Sequence, residues 1–92
     1  MNRYDGAAVL IFADGSRVPV AVKLLISELP AGGVTQSTWG GRATPTDDTS
    51  LYEHLGEMIS VELPTHATGS ALIGAVDVGP TVMILGRGPA PF

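Results

Sequence analysis

The residues best suited to acid–base chemistry in this sequence are His54 and Glu57, which lie three positions apart. In a helical turn, this spacing places two side chains on one face. A carboxylate in that position orients the imidazole ring and raises its basicity, so the pair can move a proton. A charged surface helix produces the same spacing by chance, and no nucleophile is visibly paired with this histidine. The sequence therefore leaves open whether the protein is an enzyme.

A second group of residues suits ligand binding rather than catalysis. Trp39 is the only tryptophan, and it is followed by Gly40 and Gly41. Because glycine lets a planar ligand approach closely, Trp39 can act as a stacking platform. The ordinary alternative is a core aromatic residue whose indole N–H has found a partner. We expect Trp39, Arg42 and Tyr52 to line the ligand site, with Arg42 paired to a carboxylate or a phenolate.

The remaining polar residues do not predict a metal or cofactor site. The chain has no cysteine, and His54 and His66 are its only histidines, so thiolate and histidine-rich metal sites are not expected. The adjacent pair Asp47 and Asp48 lacks the spaced oxygen ligands that calcium requires. The glycine pairs lack the strand–loop–helix context of a phosphate-binding loop. We therefore expect neither a metal nor a cofactor.

The charge pattern limits the partners of the chain. The chain has five basic and nine acidic residues, and the basic residues are scattered along the sequence. Nucleic acids and anionic membranes require clustered basic residues, so neither is an expected partner. The N-terminal residues MNRYDG do not resemble a signal peptide. No segment reaches the roughly 18–20 apolar residues of a spanning helix. The sequence therefore predicts a cytoplasmic protein.

Alternating apolar residues and polar breakers predict an all-β domain that covers residues 1–92. Asp14-Gly15 separates two strand-like segments, which is typical of a β-hairpin. A short helix is expected before the fourth strand, and the loop after the second strand covers residues 28–33. The strands are predicted at 4–12, 17–27, 34–44, 57–63, 70–78 and 81–88, with the helix at 51–56. Six short, evenly spaced strands favour a small antiparallel barrel or sandwich.

Two features of these strands indicate that something covers them. The first, fifth and sixth strands are apolar on both faces, and exposed strands of that kind aggregate. A homodimer interface or a neighbouring domain is therefore expected. The last residues, Pro89-Ala90-Pro91-Phe92, combine stiff prolines with an aromatic ring. We predict that Phe92 folds back over an open side of the core.

Four segments together resemble an uncharacterised bacterial domain-of-unknown-function family of similar length. They are YDG (4–6), DGSRVPVAV (14–22), TWGGR (38–42) and GRGPAPF (86–92). Members of that family occur alone or appended to flavin-dependent monooxygenase-like proteins. The resemblance implies an accessory role beside oxidative metabolism, with an oxidoreductase as a partner. It implies no catalytic residues.

Three functions follow as hypotheses from the sequence, and the third of them is an oligomerisation module. The first is a non-enzymatic module that binds a small apolar or aromatic ligand, or a partner protein. The alternative is a cofactor-free isomerase, cyclase or dehydratase of a biosynthetic pathway, in which His54 or Glu57 supplies the acid–base group.

Overall fold

Six antiparallel strands of this chain close into a barrel. The computed structural model describes residues 3–31 and 34–92, and the side chains of those residues outside 28–37. In chain order the strands are β1 (Arg3–Ile11), β2 (Arg17–Ala31), β3 (Val34–Pro45), β4 (Met58–Glu62), β5 (Thr68–Val76) and β6 (Val82–Arg87). Their order around the barrel is β1-β2-β3-β6-β5-β4, and β4 pairs back onto β1. The predicted all-β fold is confirmed, and of the two predicted architectures the chain adopts the barrel.

The hairpin between β1 and β2 forms at the predicted Asp-Gly turn. Phe12 donates its N–H to the carbonyl of Ser16 at 2.9 Å, and Gly15 takes a φ of 90°. The Asp14 carboxylate accepts the backbone N–H of Ser16 at 2.9 Å and also accepts its hydroxyl. These hydrogen bonds from the Ser16 side chain and backbone hold the pKa of Asp14 below its usual value.

The interior of the barrel is filled by apolar side chains. On β2 the alternating residues Val18, Val20, Val22 and Leu24 are buried, as their period of two predicts. Inward-facing residues of the other strands complete the core: Ala8, Leu10, Trp39, Ala43, Ile59, Val61, Ala71, Ile73, Val82 and Ile84. Among the described side chains, none of the buried ones is charged or carries a hydroxyl, carboxylate or amide. The packed interior therefore offers a polar ligand no such group to bind.

The helix predicted at 51–56 is only a 3-10 turn at Tyr52–His54. Leu51 is fully buried and anchors this turn to the core. Leu55 has a ψ of 132°, which ends the helical conformation. Gly56 then donates its N–H to the carbonyl of Ile73 at 2.7 Å. The chain leaves the helix early because this backbone bond draws it towards β5.

The second and third strands extend further than predicted. The segment 28–31, expected to be a loop, continues β2, and its pairing with β3 reaches Ala31 and Val34. The rest of the predicted loop, residues 32–33, lies outside the described residues. The pairing of β1 with β2 stops at Leu25, and that of β6 with β3 stops at Gly40. Residues 27–31 and 34–38 therefore form a two-stranded ribbon beyond the barrel, consistent with extents of 45 × 26 × 23 Å.

Helical structure is limited in the part of the chain that the structure describes. Within residues 3–31 and 34–92, no helix is long and apolar enough to cross a lipid bilayer.

Candidate functional site

Trp39 lies at the end of the barrel from which the ribbon projects, and its side chain is used in packing. It is only 5% exposed, and its indole N–H donates to the carbonyl of Gly88 at 3.1 Å. A methyl group added to Gly86 would overlap the indole ring, so the ring lies directly on the β6 backbone. This contact explains why β6 carries a glycine there. Of the two interpretations of Trp39 that the sequence allows, this arrangement matches a core aromatic residue whose indole N–H has a hydrogen-bond partner.

The C-terminal residues complete this end of the barrel. Pro91 is buried, and a side chain on Gly69 would come within 2.8 Å of it. The Phe92 ring packs edge-on against Trp39, with 6.3 Å between ring centroids and an interplanar angle of 86°. It also lies 6.4 Å from the ring of Tyr4. The prediction that Phe92 folds back over the core is confirmed. We refer to Tyr4, Trp39, Gly86, Pro91 and Phe92 as the barrel mouth.

The opposite side of β3 is open and partly apolar. Gly40 pairs with Leu25 of β2 on one side and with Leu85 of β6 on the other. These leucines are 54% and 50% exposed, and Met83, opposite Arg42, is 39% exposed. Because Gly40 has no side chain, the leucines flank a shallow floor of bare backbone. We call this surface, formed by Lys23, Leu25, Arg42, Met83 and Leu85, the β3 outer face.

Basic side chains gather around this surface. Of the five basic residues in the chain, four line the grooves on or beside it: Arg3, Lys23, Arg42 and Arg87. The fifth, Arg17 on β2, pairs with Glu62 on β4, across the intervening strand β1. The four residues are scattered in the sequence, and antiparallel pairing brings them together.

Two of these basic residues are direct cross-strand neighbours. Lys23 on β2 is opposite Arg42 on β3, and like charges in that position repel each other. Each has one acidic neighbour. Asp5 lies opposite Lys23, and Asp77 contacts the Arg42 Nε at 2.8 Å. The Arg42 side chain remains mostly exposed, so its other guanidinium nitrogens are accessible to a ligand.

Shallow grooves connect the apolar and basic parts of this surface. A groove of about 490 Å³ runs along Leu25, Gly40, Leu85 and Arg87. A second, of about 390 Å³, is lined by Arg3, Lys23, Leu25, Arg42 and Met83. A third, of about 430 Å³, continues past Lys23 and Arg42 to Asp77. Each falls in the size range of small-molecule sites, and the shared residues make them one continuous surface.

The three predicted ligand-binding residues do not share a groove among those described. Trp39 borders the first groove with little exposed surface, and Arg42 lines the second and third. Tyr52 is 42% exposed on the 3-10 turn and lines none of these grooves. Leu25, Met83 and Leu85 were missed as site residues. For Met83 and Leu85, the sequence did contain a signal, because the sixth strand is apolar on both faces and one of those faces must point outward.

The predicted pair of His54 and Glu57 is formed. His54 Nδ1 lies 2.9 Å from Glu57 Oε2, and the imidazole packs against Phe12 in a tilted arrangement, with 4.3 Å between ring centroids and an interplanar angle of 37°. Both residues lie on the 3-10 turn or just after it, partly open to solvent. The described grooves do not include either residue. The pair can hold a proton, and its use in catalysis stays a prediction.

The carboxylates of Asp14 and Asp47 accept hydrogen bonds from the residues two positions after them, Ser16 and Thr49. The pKa of Asp47 is lowered by hydrogen bonds from the side chain and backbone of Thr49, in the same manner as that of Asp14. Among the described side chains, those of residues 3–27 and 38–92, no cluster of three or more His, Cys, Asp or Glu is arranged to hold a metal ion.

Together, the fold and the surface define a closed six-stranded antiparallel barrel with a filled interior and an open amphipathic outer face. No family model matches the chain, and no curated protein or solved structure is detectably similar to it.

Proposed function

We propose that the protein is a non-enzymatic binding module for an amphipathic organic anion, a carboxylate or phenolate on an apolar or aromatic body. The binding site is the β3 outer face. One observation carries the proposal: Leu25, Met83 and Leu85 are exposed directly beside Lys23 and Arg42. Such a surface matches a ligand that has an apolar part and a negative part.

The apolar part of the ligand contributes binding free energy because it buries the exposed side chains of Leu25, Met83 and Leu85. Burial of apolar surface contributes roughly 25 cal/mol per Å². The flat floor at Gly40 allows a ring or an alkyl chain to lie against the backbone. This geometry differs from the stacking on the Trp39 ring that the sequence predicted, because that ring lies on the inner side of β3.

The negative part of the ligand contributes binding free energy because it is attracted by Lys23 and Arg42 at the same time. Lys23 and Arg42 repel each other across the strands, and an anion placed between them removes that repulsion. The guanidinium of Arg42 can also donate two parallel hydrogen bonds to a carboxylate. The ligand therefore adds a negative charge between two basic groups, each of which has one acidic neighbour on its other side.

The setting of this activity follows from the family resemblance that the sequence predicts. An accessory module beside a flavin-dependent monooxygenase would meet aromatic carboxylates and phenolates as substrates or products. We therefore propose a role of this kind in oxidative metabolism, with the oxidoreductase as the protein partner.

The test is a titration with 2-naphthoate, followed by NMR of the methyl groups of Leu25, Met83 and Leu85. We expect saturable shifts at these methyls, and weaker or absent shifts with the uncharged 2-naphthamide. Arg42→Gln should weaken binding about ten-fold or more, because a hydrogen bond to a charged group contributes about 1.5–3 kcal/mol. Arg17→Gln is the matched control, since Arg17 pairs with Glu62 away from this face.

Two outcomes would reject the proposal. One is equal affinity of the carboxylate and the amide. The other is an equal loss of binding in the Arg42 and Arg17 variants, which would indicate a general charge effect.

The alternative of a cofactor-free isomerase, cyclase or dehydratase is favoured by one observation, the oriented pair of His54 and Glu57. The same titration, recorded also for the ring protons of His54 and Phe12, separates it from binding on the β3 outer face. Shifts confined to His54 and Phe12 would place the ligand against the pair and support the acid–base function.

A further inference from the structure

Within residues 3–31 and 34–92, no further strand pairs with the outer edges of the ribbon of residues 27–31 and 34–38. In the described part of the chain, β1 pairs with β2 only as far as Leu25. The pairing of β6 with β3 likewise ends at Gly40. The described backbone hydrogen bonds outside the strand pairings include none between the C-terminal residues and the ribbon. Two strands alone are marginally stable in water, so this ribbon is suited to further pairing.

The register shows which backbone groups face outward. Thr46 donates its N–H to the Pro19 carbonyl at 3.0 Å, so these residues form a hydrogen-bonded pair at the end of the β2–β3 ladder. Hydrogen-bonded and non-hydrogen-bonded pairs alternate along antiparallel strands. Counting along the continuous register, the pairs Glu28–Ser37 and Pro30–Thr35 are of the second kind. Their N–H and C=O groups therefore point away from the ribbon.

The two edges differ in their suitability for pairing. On the β2 edge, Pro30 has no N–H to donate, and the segment also carries Glu28. Proline and charge are the usual means of blocking an edge strand. On the β3 edge, the segment Val-Thr-Gln-Ser-Thr (34–38) has no proline and no charge. The β3 edge thus keeps complete donors and acceptors at Thr35 and Ser37.

We infer that two copies of this chain associate through the β3 edge of the ribbon, in an antiparallel pairing about a two-fold axis at Gln36. Thr35 then faces Ser37 of the partner subunit, and each such pair exchanges two backbone hydrogen bonds. The occupant is a second copy because the edge is its own antiparallel complement in this register. The association joins the two ribbons into one four-stranded sheet. It is independent of the proposed ligand.

Multi-angle light scattering after size exclusion provides the first test. We expect the wild-type protein to be a dimer that dissociates on dilution. Ser37→Pro removes one outward N–H without removing a β2–β3 hydrogen bond, and it should give a monomer with an unchanged circular dichroism spectrum. Ser37→Ala keeps the N–H and should remain a dimer. A wild-type monomer at all concentrations would overturn the inference.

A cross-linking test does not depend on whether the proline variant folds. The chain has no cysteine, so a single introduced thiol is unique. At the two-fold axis the Gln36 Cα atoms would lie about 4.5 Å apart, which is within disulfide range. Gln36→Cys should therefore form a disulfide-linked dimer on mild oxidation, and Glu28→Cys on the other edge should not. Equal cross-linking of both variants, or none at position 36, would contradict the proposed register.

Discussion

The two sides of β3 near its centre differ in almost every physical respect. On the inner side, Trp39 is enclosed by the β6 backbone and by Phe92. On the outer side, Gly40 and Arg42 face exposed leucines and a second basic residue. The inner side is packed as a protein core, and the outer side is an exposed surface of mixed apolar and basic side chains.

The difference indicates how this small chain divides its residues between stability and the proposed binding. A domain of this size buries a modest fraction of its surface, so its only tryptophan contributes most when it is packed. The outer face contributes little to the core and leaves Leu25 and Leu85 half exposed. We therefore expect mutations at the barrel mouth to change stability, and mutations on the outer face to change binding.

The largest expected effect comes from Gly86→Ala. The added methyl group would overlap the indole ring of Trp39, which has no room to move without losing its hydrogen bond to Gly88. Overpacking of a core costs about 1–3 kcal/mol, and we expect about 3 kcal/mol here. Urea unfolding followed by tryptophan fluorescence gives the free energy of unfolding directly.

Gly74→Ala is the matched control on the outer side of β5. There the new methyl group would lie 3.1 Å from the tip of Leu85, a half-exposed side chain that can turn away. We expect a change within about 0.5 kcal/mol. Equal losses at Gly86 and Gly74 would show that the barrel mouth is no more tightly packed than the outer face.

Phe92→Ala should have the next largest effect. The ring packs on Trp39 and Tyr4, and it is partly buried rather than enclosed. We expect a loss of about 2 kcal/mol, below the usual 3–5 kcal/mol for a fully buried phenylalanine. In a domain of this length that corresponds to a melting temperature lower by roughly 8–16 °C.

Leu85→Ala removes a side chain from the outer face and serves as the comparison for Phe92→Ala. Because Leu85 is half exposed, we expect a loss below about 1 kcal/mol. If Phe92→Ala left the melting temperature unchanged, the C-terminal residues would not stabilise the barrel mouth. Phe92 would then either have no role or be available to a partner.

The fold could be predicted from the sequence because the strong signals were local. The alternation on β2 and the Asp14-Gly15 turn each depend on a few neighbouring residues. The ribbon was missed because Pro30 and the adjacent glycines are typical of a loop, whereas Pro30 sits where its missing N–H faces away from β3. The short helix was overestimated because a backbone bond from Gly56 to β5 cannot be seen in the sequence.

The candidate site was harder to predict because it depends on the register between distant strands. Leu25 and Leu85 are sixty positions apart, and both pair with Gly40. Arg42 was identified from its neighbours in sequence, but Lys23 becomes its partner only through strand pairing. The functional assignment of Trp39 relied on residue type, which cannot distinguish the inner side of a strand from the outer side without the barrel.

The smallest expected effect concerns the ion pair between Arg42 and Asp77. Their atoms lie 2.8 Å apart, but the arginine side chain is mostly exposed, and such pairs contribute about 0–1 kcal/mol. A double-mutant cycle of Arg42→Ala and Asp77→Ala, measured by urea unfolding, should give a coupling energy of about 0.5 kcal/mol or less. The coupling should fall further in high salt, because exposed charges are screened. A coupling above about 2 kcal/mol, outside the range of exposed pairs, would mean that Arg42 stabilises the barrel. In that case the loss of Arg42 would weaken naphthoate binding by destabilising the barrel. Arg42 would then belong with the residues of the barrel mouth, whose mutations change stability.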